Sequence, residues 1–166
     1  LDYAHRLKDD ATGAPLHIVH RDVTPSNVLI SREGEVKLAD FGIAKATRLK
    51  EETHAGLRKG TYAYMSPEQA RAQTLSPASD VFALATLLVE LLTGRRIFEG
   101  EGPLETLERV RDNRAAEVAL RPELAALVSQ WHQLEPEQRP QSAESLRQAL
   151  VGLTSAPPRF DAPDLA

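Results

Sequence analysis

"HRDVTPSN", residues 20–27, decides the reading of this chain. It sets a carboxylate, Asp22, ahead of an amide, Asn27, and the apolar run "VLI" follows at once. A second acid, Asp40, comes in "LADFG", residues 38–42. Between them, "NVLI" (27–30) and "EVKL" (35–38) have strand character. They are joined by "SREG" (31–34), whose Gly34 suits a tight turn. The pattern predicts a short hairpin, with Asp22 and Asn27 where it begins and Asp40 where it ends. Short strands with tight turns hold side chains more rigidly than free loops do.

Composition narrows the class. At 166 residues and 42% apolar content, the chain can bury one core. A formal net charge of −4 argues against general nucleic-acid or anionic-membrane binding. With no cysteine there is no disulfide framework and no thiol metal site. The longest apolar stretch, "VFALATLLVELL" (81–92), is interrupted by Glu90. It is well short of the ~20 residues that a membrane-spanning helix needs. No signal peptide is legible.

Outward from the hairpin, the chain reads as mostly helical. Leu1, Ala4 and Leu7 have helical spacing, with no capping residue and no Met before them. Residues 1–8 therefore read as the last turns of a helix, and the sequence as a piece of a longer protein. "KDDATGAPL" (8–16) suits a loop or short hairpin, and "HIVH" (17–20) a short β-type run. In residues 43–60, Lys45, Arg48, Lys50, Arg58 and Lys59 outweigh Glu51 and Glu52, which predicts a long, functional loop.

"SPASD" (76–80) starts a helix, and residues 81–92 are apolar on every face, the mark of a buried one. Gly94 suits its left-handed cap. Amphipathic helices are expected over 103–113 and 122–134, each opened by Pro, and over 142–153, capped by Ser142. Trp131 is expected in the core. His5, His17, His54 and His132 show no metal-ligand spacing. Residues 154–166, with Pro157, Pro158 and Pro163, read as a tail or linker.

An acid, an amide and another acid on consecutive loops suit the transfer of a phosphoryl group. That reaction requires phosphate charge to be neutralised, usually by Mg²⁺, which prefers oxygen ligands. It also needs a carboxylate to orient the attacking hydroxyl and accept its proton. At this point the chain resembles the eukaryotic-type (Hanks-type) protein Ser/Thr kinases. "HRDVTPSN", "DFG" and "SPE" (66–68) follow in that family's order. "GTYAYMSPEQ" (60–69) is similar to the peptide-binding end of its activation segment. "SDVFALATLLVELLTGRRIF" (79–98) is similar to its buried central helix, and "LEPEQRPQSAESL" (134–146) to its closing stretch. The texture of "DFGIAKA" and "PEQ" is bacterial-like.

The resemblance covers residues 1 to about 153 and only the C-terminal lobe of the family's fold. It implies a mainly α lobe with a small β element, a helical body plus a short catalytic-loop hairpin. That domain spans 1–153, followed by the Pro-rich tail 154–166.

The resemblance also implies roles. Asp22 would be the catalytic base, and Asn27 and Asp40 the Mg²⁺ ligands. His20 and Phe41, with Gly42 beside them, would stack to link the two loops. Leu29 would lie under the adenine ring of ATP. Thr61 would hydrogen-bond toward Asp22 and help select a Ser or Thr substrate. Glu68 and Arg139 would form a buried ion pair. Asp80 would accept backbone N–H groups of the catalytic loop. Arg21 would be a buried cation waiting for a phosphate on the activation loop, at Thr53 or, second, Thr47.

The chain also departs from the family's pattern. Thr24 stands where Ser/Thr kinases usually carry Lys, which removes a cation near the transferred phosphate. No G-x-G-x-x-G and no V-A-I-K strand occurs, so the nucleotide's roof and its phosphate-pairing lysine are not in these residues. The resemblance therefore implies a kinase whose parent uses ATP and Mg²⁺ on protein Ser/Thr hydroxyls. The isolated chain is expected to be inactive without the N-terminal lobe of the parent. The alternatives are a pseudokinase-like scaffold or a truncated product without independent function. No nucleic-acid partner is expected. The implied location is the cytoplasm, or the cytoplasmic face of a membrane-anchored parent.

Overall fold

Helix α3, Pro77–Thr93, is the axis on which the last two helices and the turns at 61–64 and 136–138 pack. The computed structural model describes residues 1–41 and 61–153. The elements before α3 are α1 (Asp2–His5), β1 (Val28–Ile30), β2 (Val36–Leu38) and α2 (Pro67–Ala70). After it come α4 (Pro103–Arg111), α5 (Pro122–Trp131) and α6 (Ala143–Leu153). Single 3₁₀ turns at Pro25–Asn27, Thr61–Tyr64 and Pro136–Gln138 join them. The expected loop at 43–60 with Thr47 and Thr53, the tail at 154–166, and Gly42 lie outside the described residues.

The ends of α3 follow from its sequence. Pro77 occupies the first turn, where its missing N–H costs nothing. The Ser76 N–H donates to Ser79 Oγ at 3.2 Å. Gly94 closes the helix at φ +68°, and its N–H donates to the Glu90 carbonyl at 2.7 Å. The sequence led us to expect this helix to be buried all round, and its last turn corrects that. Val81, Phe82, Ala85 and Val89 are buried, but Leu91 is 74% and Leu92 53% exposed. In that turn Glu90 leaves the apolar pattern, accepting the Tyr64 hydroxyl and, at 3.0 Å, Arg96 Nε.

Helices α5 and α6 pack against α3, while α4 packs on α2 and the 61–64 turn. Trp131, at the end of α5, is buried in the shared core as expected. Phe82 and Phe98 stack with centroids 5.5 Å apart, and the His132 ring sits 4.7 Å from Phe82. The Arg139 guanidinium lies 4.9 Å from the Phe82 centroid, a cation–π contact inside the core.

β1 and β2 pair antiparallel, with Val28 opposite Leu38 and Ile30 opposite Val36. Gly34 takes φ +83° in their turn, a conformation that costs an L side chain energy. Only the Val28–Leu38 end packs on the body, against a second cluster that includes Val23 and Leu87.

Residues 8–16 form a short hairpin with a single Lys8–Pro15 bridge. The β-type run expected at 17–20 is not a strand. His17 has φ +47°, and the N–H of His20 goes to a side chain, Asp80, rather than to a neighbouring strand. Among the described residues, strand propensity had no ladder to join there.

Candidate active site

The stretch 20–27 is held in an unfavourable backbone shape by buried polar groups. Arg21 has φ +69°, the left-handed region, which costs a non-glycine residue about 1–2 kcal/mol. Asp80, buried in the first turn of α3, offsets this. Its Oδ2 accepts the His20 N–H at 2.7 Å and its Oδ1 the Arg21 N–H at 2.9 Å. A carboxylate in the first turn also complements the positive end of the helix dipole. His5 Nε2 reaches Asp80 Oδ2 at 2.8 Å, so α1 is tied to the same anchor. On the other side of Arg21, its carbonyl accepts from Gln69 Nε2 at 2.7 Å.

Asp22 leaves this clamp toward Asn27. Asn27 Nδ2 donates both to the Asp22 carbonyl and to Asp22 Oδ2, each at 2.8 Å. The 3₁₀ turn Pro25–Asn27 makes this reach possible, because the Asn27 N–H folds back onto the Thr24 carbonyl at 3.1 Å.

Fully buried His20 joins the two loops. Its Nε2 lies 3.0 Å from the Ala39 carbonyl, and the Asp22 N–H lies 3.3 Å from its Nδ1. A carbonyl only accepts and an amide only donates, so the ring is neutral with its proton on Nε2. Burial accordingly holds its pKa below the ordinary histidine value, against the opposing pull of Asp80. Phe41 packs on this ring with centroids 4.4 Å apart.

Asp40 lies beside these groups. The Ala39 N–H donates to the Asn27 carbonyl at 2.8 Å, which brings the end of β2 against the start of β1. Asp40 then turns with φ +56° and is exposed. The donor set fits Mg²⁺. The Asn27 amide nitrogen is engaged by Asp22, which leaves Oδ1 as the atom that could face a metal, and Asp40 adds an accessible carboxylate. These are hard oxygen donors, and Mg²⁺ ordinarily takes only one or two carboxylates beside substrate phosphates and water. Among the described residues there is no group of three or more His, Cys, Asp or Glu side chains that could hold a metal by themselves.

The structure brings most of the other expected site residues close to this centre. Thr61 and Thr24 line one small pocket with Arg21 and Asp22. Thr24 is buried, and its hydroxyl pairs with Ser26 Oγ at 3.0 Å. Arg21 Nε is buried with no hydrogen-bond partner among the described residues. Leu29 stands apart on β1, 56% exposed, and Phe41 is 37% exposed at the rim.

Glu68 and Arg139 meet as a fork, with Nη1–Oε1 at 2.8 Å and Nη2–Oε2 at 2.9 Å, both side chains buried. Burial is the largest influence on Glu68 and pushes its carboxyl upward. The hydrogen bonds from Arg139 and Ser79, together with the charge of Arg139 and a backbone hydrogen bond, hold the pKa below the usual value.

Three residues of this network escaped the sequence reading. His5 showed no metal-ligand spacing and carried no expected role, and its partner Asp80 lies 75 positions away. Ser79 donates to Glu68 Oε1 at 2.6 Å, a contact no local pattern signals. Gln69 had a signal, because it stands in "PEQ" directly after Glu68.

Comparison with known proteins gives a consistent set of similarities. The family model described as "Protein kinase domain" matches residues 2–151. Tyrosine-protein kinase MasK of Myxococcus xanthus is 39% identical over 155 residues, 90% of this chain and 24% of MasK. Serine/threonine-protein kinase PknL of Mycobacterium tuberculosis is 49% identical over 87 residues, 52% of this chain and 22% of PknL. PknA of the same species is 48% identical over 87 residues, 52% of this chain and 20% of PknA. The chain thus spans between a fifth and a quarter of the length of these curated relatives.

Proposed function

This chain belongs to the protein kinase domain family, by family a protein serine/threonine kinase, and on that premise we propose that the protein carrying it transfers the γ-phosphoryl of ATP to Ser or Thr hydroxyls of other proteins. The observation that carries this reading is the double hydrogen bond from Asn27 Nδ2 to the carbonyl and carboxylate of Asp22. One amide thereby orients the carboxylate and offers its own oxygen to a metal.

In the proposed mechanism Asp22 positions the attacking hydroxyl and takes up its proton. Asn27 Oδ1 and the Asp40 carboxylate would hold Mg²⁺, which would supply neutralisation of phosphate charge. Leu29 supplies apolar surface beneath the adenine. Thr61 shares the pocket of Asp22 and favours a short aliphatic hydroxyl. Thr24 contributes no cation, which lowers turnover relative to a site with lysine there. Arg21 is the receptor for an activation-loop phosphate at Thr53 or Thr47. The protein works in the cytoplasm or on the cytoplasmic face of a membrane. Among the described residues no helix is long and apolar enough to cross one.

A pseudokinase scaffold is the weaker reading, because Asp22, Asn27 and Asp40 are all present. The domain runs over residues 1–153, and by itself it does not catalyse. These residues include no glycine-rich loop over the phosphates and no lysine strand. The test is phosphate transfer from ATP with Mg²⁺ by the full protein, onto Ser/Thr and Tyr peptides in parallel. Asp22→Asn is expected to lower turnover on the Ser/Thr peptide about 10²–10⁴-fold. Near-normal turnover by that variant removes Asp22 from its role, and transfer to the Tyr peptide alone overturns the substrate class.

A further inference from the structure

We infer that Gln69 is a positioning residue for Asp22, coupling the end of the 61–69 segment to the backbone of the catalytic loop. The inference rests on the kinase reading for its function, but the geometry stands without it. Gln69 is a polar side chain on α2 and only 5% exposed. Its amide donates to the carbonyl of Arg21 at 2.7 Å, across 48 positions of sequence. Arg21 is the residue immediately before Asp22 and sits at φ +69°.

The two peptide groups of Arg21 are thus held from opposite sides. Asp80 on α3 takes the N–H of Arg21 at 2.9 Å, and Gln69 on α2 takes its carbonyl. That carbonyl belongs to the peptide bond whose nitrogen is that of Asp22. Rotating it displaces the start of Asp22 directly, and also the Asp22 N–H that lies 3.3 Å from His20 Nδ1.

The two jaws are themselves joined one residue away. Glu68, next to Gln69, accepts Ser79 Oγ at 2.6 Å, and Ser79 is next to Asp80. Arg139 fastens Glu68 to the helical body. The first and second anchors of Arg21 therefore form one rigid piece, and the left-handed residue is captured between them. Ser66, which caps α2 through the Gln69 N–H at 3.3 Å, is separated only by Met65 from the 61–64 turn that carries Thr61. The chain that carries Thr61 therefore runs into the same anchored helix that supplies the donor to the Arg21 carbonyl. The Gln69 amide is the link between that segment and the peptide bond that begins Asp22.

Gln69→Met keeps the length and bulk of the side chain and removes the donor, and so isolates this bond. In the full protein it is expected to lower kcat about 10- to 10²-fold, the scale on which small misplacements of a reacting group act. KM for ATP should stay within about twofold, because Asn27 and Asp40 are untouched. Amide hydrogen exchange should accelerate over residues 20–23 and stay unchanged in α5 and α6. Unaltered kcat, or a fall in ATP affinity and melting temperature without the local exchange change, overturns the inference. If the unaltered protein transfers no phosphate at all, the kinase reading fails instead. The exchange experiment then still decides whether Gln69 holds the Arg21–Asp22 peptide.

Discussion

Arg139 and Glu68 form a two-pronged ion pair across 71 positions of sequence, and neither side chain is reached by solvent to any extent. The same guanidinium donates to the carbonyls of Gln133 at 2.7 Å, Leu134 at 2.8 Å and Ala78 at 3.2 Å. One side chain thus ties α2, the start of α3 and the segment before α6. Removing either partner leaves a buried charge uncompensated, at a cost of about 3–5 kcal/mol. Arg139→Ala should lower the melting temperature clearly. Arg139→Lys should recover little, because an ammonium cannot reproduce the planar fork. A melting temperature unchanged in both variants would show that the pair contributes nothing.

Asp80→Asn tests the anchor of the catalytic loop. The carboxylate accepts from His20, Arg21 and His5 with both oxygens, whereas an amide has one acceptor and turns an NH₂ toward a donor. At least one buried N–H loses its partner, which costs about 1–3 kcal/mol. Chemical denaturation should report that loss, together with faster amide exchange at His20 and Arg21. Wild-type exchange at those two amides would count against the anchor.

His132 predicts an acid limb of stability. Its Nε2 lies 3.0 Å from Thr86 Oγ1, which itself donates to the Phe82 carbonyl, so the imidazole donates from Nε2. Burial, reinforced by the charge of Arg139, lowers its pKa from 6.5 to about 4. The unfolded chain therefore binds a proton between those values that the folded chain refuses. Stability is full above pH 6.5 and is lost as pH falls toward 4, by about 3 kcal/mol for this residue. The lowered pKa of His20 adds in the same direction. Glu68 follows below its ordinary value of 4.5, as its carboxylate is protonated. Urea denaturation of wild type and His132→Gln between pH 7 and 4.5 should give a flatter slope for the variant, and equal slopes would refute the assignment.

The 166-residue chain alone should transfer no phosphate to a Ser/Thr peptide. It includes a base and two oxygen ligands but nothing to cover the nucleotide, and phosphoryl transfer depends on positioning and excluded water. The exposed Leu29 and Phe41 also leave apolar surface beside the site open to solvent. Calorimetry with Mg²⁺ and ATP should show very weak binding. Robust turnover by the purified chain, abolished by Asp22→Asn, would refute this.

What the sequence determined by itself is local. "HRDVTPSN" and "LADFG" placed Asp22, Asn27 and Asp40 around a hairpin, because strand runs and a glycine turn act over a few residues. The Pro starts of α3, α4 and α5, the Ser142 cap and the left-handed Gly94 were legible for the same reason. The resemblance to kinases extended this to Glu68 with Arg139 and to Asp80. Tertiary structure alone decided the rest. "HIVH" lost its strand because among the described residues no strand pairs with it, and Leu91 and Leu92 are exposed because none of those residues covers the last turn of α3. His5, Ser79 and Gln69 joined the site through contacts spanning 75, 11 and 48 positions. A hydrogen bond at such separation leaves no period or spacing in the chain. It exists only once burial has removed the water that would otherwise satisfy both groups.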